Sequence, residues 1–183
     1  VTVYNRTKSK AEKWITEYKG KIAESPEEAA SVTVPDETKV VALTQTTLSV
    51  DDTAEVIEIL KNRFPDLITR NDICYATTNR QDAVKAIAED VDIILVVGAG
   101  NSSNSNRLRE TAEAAGKQAY LINDPKDIDY DWLRDKKKIG ITSGASTPEW
   151  LVQAVIDAIK PTNIDVKKIA EENITFVLPK TLR

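Results

Sequence analysis

The sequence predicts an α/β fold of mainly parallel sheets flanked by helices, arranged as two three-layer lobes. Three observations carry this. Short apolar runs alternate with stretches of helical periodicity along almost the whole chain. The run "DIILVV" (92–97) is apolar at every position after its aspartate, so it presents no polar face, as a parallel strand covered on both sides requires. Capping and turn residues fall where the period switches, so each strand is followed by a helix that carries the chain back over the sheet.

The elements follow in order. "VTVYN" (1–5) reads as a strand and "SKAEKWITEYKG" (9–20) as a helix stopped by Gly20. "KIAES" then "PEEAASV" reads as a short strand and a helix with Pro26 in its first turn, where the missing N–H has no partner to lose. "KVVALT" (39–44) is a strand. In the next helix Ser49 is the N-cap, Asp51 and Asp52 meet the positive end of the dipole, and Val56 and Leu60 face inward. "DICYATTNRQDAVKAIAED" (72–90) reads as a short strand ending near Ile73, a polar turn, and a helix facing inward through Val84, Ile87 and Ala88. After the 92–97 strand, "RLRETAEAAGK" (107–117) is a helix ended by Gly116, and "QAYLIND" and "KIGIT" are strands. "STPEWLVQAVIDAIK" (146–160) is a helix with Thr147 as N-cap and Pro148 at its first position, and "NITFVLPK" (173–180) is a late strand. The expected division is an α/β lobe over 1–70, a second over 71–160, and a C-terminal tail over 161–183.

Composition narrows the function classes. The chain has 183 residues, 41% hydrophobic and 30% charged, enough for a buried core. Its formal net charge is -4 with no basic stripe, which argues against a nucleic-acid partner. No apolar run reaches membrane-spanning length, so no membrane partner is expected. There is no histidine, so the commonest general base and metal ligand is missing. Cys74 is the only cysteine, which rules out an internal disulfide and fits a reducing, cytoplasmic location. The chain has no methionine and starts at Val1, which reads as a processing or truncation boundary.

Four polar clusters fall at the expected C-terminal ends of strands, where ligands bind in such sheets: "TQTTLS" (44–49), "CYATTNR" (74–80), "GNSSNSNR" (100–107) and "TSGASTPE" (142–149). Two readings stay open. Ser, Thr and Asn are ordinary caps and turn formers. Gathered beside helix N-termini they also make an anion cradle, with Gly98, Gly100 and Gly144 letting a ligand approach the backbone. Phosphate suits such a cradle, and carboxylate or sugar would also fit. Cys74 divides likewise between a small buried hydrophobe and a reactive or ligating thiol.

The stretches "LTQTTLSVDDT", "DICYATTNRQDAV", "VVGAGNSSNSNRL", "GKQAYLIND", "SGASTPEWLVQAVI" and "EENITFVLPKTLR" resemble the 4-hydroxy-3-methylbut-2-enyl diphosphate reductase family, from about Glu24 to Arg183. The resemblance implies an oxidoreductase of isoprenoid biosynthesis. Such an enzyme reductively removes the hydroxyl of an allylic diphosphate to give isopentenyl and dimethylallyl diphosphates in the non-mevalonate pathway. It implies three α/β lobes around a 4Fe-4S iron–sulfur cluster held by one cysteine per lobe, and an electron donor such as ferredoxin or flavodoxin. By that resemblance Cys74 is the third-lobe cluster ligand. Ser102, Ser103 and Asn104 match the diphosphate-binding run, with Ser146 on the other side of the diphosphate. Thr46 matches a catalytic threonine beside the substrate hydroxyl, and Thr77 is grouped with the substrate-binding residues near the cluster.

The chain departs from that pattern. It lacks the family's first lobe, two cluster cysteines, the substrate-binding histidines and the proton-relaying glutamate, so the isolated chain is expected to be inactive. Its start, "VTVYNRTKSKAEKW" (1–14), is similar to the NADP-binding strand–helix of the β-hydroxyacid dehydrogenases. There Asn5, Arg6 and Thr7 would hold a 2′-phosphate, but the preceding glycine-rich turn is missing. The junction therefore reads as a chimera or a truncation. The alternative to the reductase reading is a non-catalytic, engineered or chimeric α/β scaffold that keeps an anion-binding crevice.

Overall fold

The computed structural model describes residues 2–4, 20–70 and 72–169. The helix read upstream of Gly20, the residues Asn5, Arg6 and Thr7, and the strand read at 173–180 lie outside the described residues. Among the described residues the strands form two sheets, and every pairing is parallel.

The first sheet has the order β2-β1-β3-β4. Its strands are β1 (Thr2–Tyr4), β2 (Lys21–Ile22), β3 (Val41–Thr44) and β4 (Ile68–Thr69). Two helices among the described residues pack on it. Helix α1 (Pro26–Ser31) starts where Ser25 Oγ accepts from the Glu28 N–H at 3.2 Å. Helix α2 (Val50–Arg63) starts where Ser49 Oγ accepts from the Asp52 N–H at 3.2 Å. Val56, Leu60 and Phe64 are buried against Ala23, Ala29, Val40 and Ala42. Each of these larger side chains contributes about 1.5–3 kcal/mol by leaving water. Arg63 ends the helix and ties the layers together: it donates to the Ala29 carbonyl at 2.6 Å and the Val32 carbonyl at 2.8 Å. Those carbonyls lie at the open C-terminal end of α1, where no intrahelical donor reaches them.

The second sheet has the order β6-β5-β7, from β5 (Ile93–Val97), β6 (Gln118–Ile122) and β7 (Ile139–Ser143). All five residues of β5 are buried and the strand is paired in parallel on both sides, as its two-sided apolar pattern predicts. Alternation divides its contacts. Ile94 and Val96 pack with Val84, Ala88, Leu108 and Ala112 of helices α3 (Tyr75–Ala88) and α4 (Ser103–Ala114). Leu95 and Val97 pack on the opposite layer with Val155 of helix α5 (Glu149–Ile159), Ile122 and Ile128. Trp132 stacks on Tyr120 in that layer at 3.8 Å between ring centroids. Residues 161–169 carry no helix or strand, and Lys167 pairs with Asp90 at 2.7 Å. No helix among the described residues is long and apolar enough to cross a membrane.

Three local expectations are corrected. No strand occupies 72–74. The strand in this region is β4, which belongs to the first sheet, and α3 begins at Tyr75, so Thr77 to Arg80 are helical rather than a polar turn. Helix α4 begins at Ser103, four residues before Arg107, because Ser102 caps it. Thr147 is not the cap of α5: its hydroxyl donates to the Val97 carbonyl at 2.9 Å, and Pro148 takes the cap position.

Candidate functional site

In both sheets the chain reverses its direction of growth beside a central strand. These switch points lie between β1 and β3 in one sheet and between β5 and β7 in the other. The loops leaving neighbouring strands diverge there, which opens a crevice at the C-terminal edge. The loops after β5 and β7 carry the predicted anion cradle. The loop after β3 carries Thr46.

The two cradle loops are pinned together by Ser105. A Cβ on Gly98 would lie 2.2 Å from Ser105 Oγ, and a Cβ on Gly144 would lie 2.3 Å from it. The glycines expected to admit a ligand therefore admit a side chain of α4 instead, whereas Gly100 has open space around it. Ser105 Oγ donates to Ser102 Oγ at 3.0 Å, and the Ser105 N–H donates to the same oxygen at 3.3 Å. Ser102 thus accepts twice within the cap and keeps its own proton to donate. Asn106 is held just as firmly, donating from Nδ2 to the carbonyls of Gly100 at 2.8 Å and Ser102 at 2.9 Å.

Asn104 differs from its neighbours. It is 8% exposed, and neither its Oδ1 nor its Nδ2 has a hydrogen-bond partner among the described residues. Leaving a buried amide unpaired costs about 1–3 kcal/mol, so such a group calls for a partner beyond the described residues. Ser103 beside it is exposed, and the first-turn N–H groups of Ser103 and Asn104 have no intrahelical acceptor. Ser146, on the loop after β7, is exposed. The cradle therefore offers amide, hydroxyl and backbone donors at the positive end of α4, a set suited to a phosphoryl oxygen.

The second group lies where the sheets meet. Cys74 is exposed at the start of α3, and its N–H donates to the Thr46 carbonyl at 3.0 Å. Thr77, one turn on, is 3% exposed, and its N–H donates to the Cys74 carbonyl at 2.8 Å. Thr46, Cys74 and Thr77 are thus brought together, although Cys74 was expected to follow a strand and instead opens a helix. No group of three or more His, Cys, Asp or Glu side chains able to hold a metal occurs among the described residues. Cys74 is one donor, and the chain's described residues do not complete an iron–sulfur ligand set around it.

Cavities also lie elsewhere among the described residues. A crevice of about 410 Å³ opens between α2 and α4, lined by Ser49, Asp51, Asp52, Lys85, Arg107 and Glu110. Its cations already have carboxylate partners: Lys85 meets Asp51 at 2.7 Å, and Arg107 meets Glu110 at 2.8 Å and Asp52 at 3.5 Å. A smaller void of about 10 Å³ touches the unpartnered hydroxyls of Thr44 and Thr53, which is room for one water rather than a ligand. Sequence reasoning missed Ser105 as the pin of the cradle and Gln81, described below. The pair of glycines ending adjacent strands was the available signal for the first.

The family model for LytB protein matches residues 7–160. The chain belongs to the LytB protein family. The match begins at residue 7, upstream of Glu24, where the resemblance was expected to begin. Among LytB relatives, the 4-hydroxy-3-methylbut-2-enyl diphosphate reductase of Cronobacter sakazakii is 52% identical over 167 residues, covering 88% of this chain and 53% of that protein. The enzyme of the same name from Escherichia coli is 49% identical over 168 residues, with 88% and 53% covered. The solved structure of the E-1-hydroxy-2-methyl-but-2-enyl-4-diphosphate reductase from Plasmodium falciparum superposes with a TM-score of 0.85 at 31% identity, over 99% of this chain and 60% of that one. The chain spans about half the length of the curated relatives it matches.

Proposed function

We propose that the chain supplies the diphosphate-binding cradle and one cluster thiolate of a 4-hydroxy-3-methylbut-2-enyl diphosphate reductase, the activity named for its LytB relatives. The reading treats residues 1–70 and 71–160 as two lobes of that enzyme. The observation that carries it is the unpartnered Asn104 amide at a sheet switch point. In the reaction the substrate's C–O bond breaks, the hydroxyl leaves as water, and two electrons and two protons enter. The electrons come from a donor protein of the ferredoxin or flavodoxin kind. This chain's share is binding and orientation. Ser103 and Asn104 hold one face of the diphosphate and Ser146 the other, Ser102 donates its remaining proton, and Thr46 stands near the hydroxyl end with Thr77 and Cys74 beside it. No redox step is assigned to a cluster on this chain, because Cys74 is a single donor.

Isothermal calorimetry with inorganic pyrophosphate tests the cradle. Ser103→Ala with Asn104→Ala should weaken binding by about 1–3 kcal/mol, and equal affinity in wild type and variant would contradict the reading. The same donor set favours a second reading, an α/β scaffold that binds anions without redox chemistry. Anaerobic reconstitution with iron and sulfide separates the two. Broad visible absorption that vanishes in Cys74→Ser supports the reductase part; a chain with one cysteine can stay colourless under either reading, and binding of the allylic diphosphate no tighter than pyrophosphate then supports the scaffold.

A further inference from the structure

One buried polar side chain at the meeting of the two sheets lies outside the cradle and joins two segments far apart in the chain. Gln81, on α3, is 1% exposed. Its Nε2 donates to the Leu48 carbonyl at 2.9 Å, and its Oε1 accepts from the Val50 N–H at 3.0 Å. The Leu48 carbonyl belongs to the loop that leaves β3, and the Val50 N–H is the first of α2, which that loop enters. Earlier on the same helix, the Cys74 N–H donates to the Thr46 carbonyl of that loop at 3.0 Å. The loop is therefore fastened to α3 at Thr46 by the helix N-terminus and at Leu48 and Val50 by one amide. The ion pairs named between the halves, Lys85 with Asp51 and Arg107 with Asp52, each involve an exposed carboxylate and hold weakly by comparison.

We propose that Gln81 is a positioning residue, which holds the loop bearing Thr46 in register with the helix N-terminus bearing Cys74 so that both address one ligand. The inference rests on the function proposed above. The side-chain chemistry is selective. A donor and an acceptor are needed side by side, and a neutral amide supplies both. Methionine fills a similar volume but leaves the Leu48 carbonyl and Val50 N–H unpaired. An ionised glutamate would set a buried charge against a carbonyl.

Two measurements on the 183-residue chain test this. The first is amide hydrogen exchange in the wild type, read by NMR. The Gln81 side-chain NH₂ and the Cys74 backbone N–H should share one opening equilibrium, lower in protection than Ile94 to Val96. A Cys74 N–H that exchanges freely while the Gln81 amide stays protected would overturn the proposal. The second is ligand binding by Gln81→Met. On the proposed reading inorganic pyrophosphate fills only the cradle, whereas 4-hydroxy-3-methylbut-2-enyl diphosphate also reaches Thr46. The variant should bind pyrophosphate unchanged and the allylic diphosphate about tenfold more weakly, equivalent to ~1.4 kcal/mol. A glutamine that only supports folding would weaken both alike, and equal change or no change in the two ligands counts against the positioning role. If the wild type binds neither anion, the proposed function fails while the exchange experiment still decides the coupling. The exchange experiment decides equally if Gln81→Met does not fold.

Discussion

The cradle after β5 and β7 and the crevice between α2 and α4 meet their polar groups in opposite ways. The crevice is rich in charge, but Lys85 and Arg107 already have carboxylates beside them. The cradle residues Ser102, Ser103, Asn104 and Ser146 are uncharged, yet Asn104 is buried with both polar atoms unpartnered among the described residues. The larger cavity thus belongs to the region whose cations are already paired. Arg107 Nε in the crevice also lacks a partner among the described residues, but its guanidinium is otherwise paired, whereas both polar atoms of Asn104 are unmet, and that difference is what makes the cradle the candidate anion site.

The largest effect expected from breaking this contrast is at the glycines. Gly98→Ala should destabilise the fold by roughly 1–3 kcal/mol in urea unfolding, because its Cβ meets Ser105 Oγ and the core has no slack. Gly144→Ala should behave alike and recover when combined with Ser105→Ala, whose Cβ lies a tolerable 3.5 Å away. Gly100→Ala, with nothing within 4 Å, should change little.

A smaller effect is expected in the crevice. Lys85→Ala or Asp51→Asn removes a partly exposed pair, so stability should fall by less than about 1 kcal/mol, and by less still in high salt. Pyrophosphate affinity, followed by calorimetry, should be unchanged in both. A marked loss would shift the anion site from the cradle to the crevice.

The smallest effect lies away from both. Asp92 accepts from the backbone N–H groups of Lys138 at 3.0 Å and Lys137 at 2.8 Å, which hold its carboxyl below the usual carboxylate range. A depressed acid stabilises the fold above its unfolded pKa of about 4, and that contribution is lost as pH falls through the folded value. The Tm of Asp92→Asn should therefore lie slightly below wild type at neutral pH, and the two should converge in acid.

What the sequence disclosed, and what it hid, follows from the range of the interactions. The two-sided apolar run at 92–97 made the central strand of the second sheet legible, and Pro26 and Ser49 announced their helices. The helix starts at Tyr75 and Ser103 were not legible, because Thr, Asn and Ser have weak helix propensity. Contacts far along the chain override it: Gln81 reaches Leu48, and Arg107 reaches Asp52. Thr147 looked like a cap for the same reason, its actual acceptor being Val97 on another strand. In the site, Ser102, Ser103 and Asn104 were named from residue type and motif. That Ser102 serves the cap while Asn104 stands unpartnered depends on which way each side chain leaves the helix turn, and composition does not encode that.

The most direct test is Asn104→Ala, followed by two readings on the same protein. Pyrophosphate binding should weaken, while the Tm without ligand should stay level or rise, since the substitution removes a buried amide that has no partner among the described residues. Unchanged pyrophosphate affinity together with a lower Tm would show that Asn104 serves packing alone, and would contradict the account of the cradle.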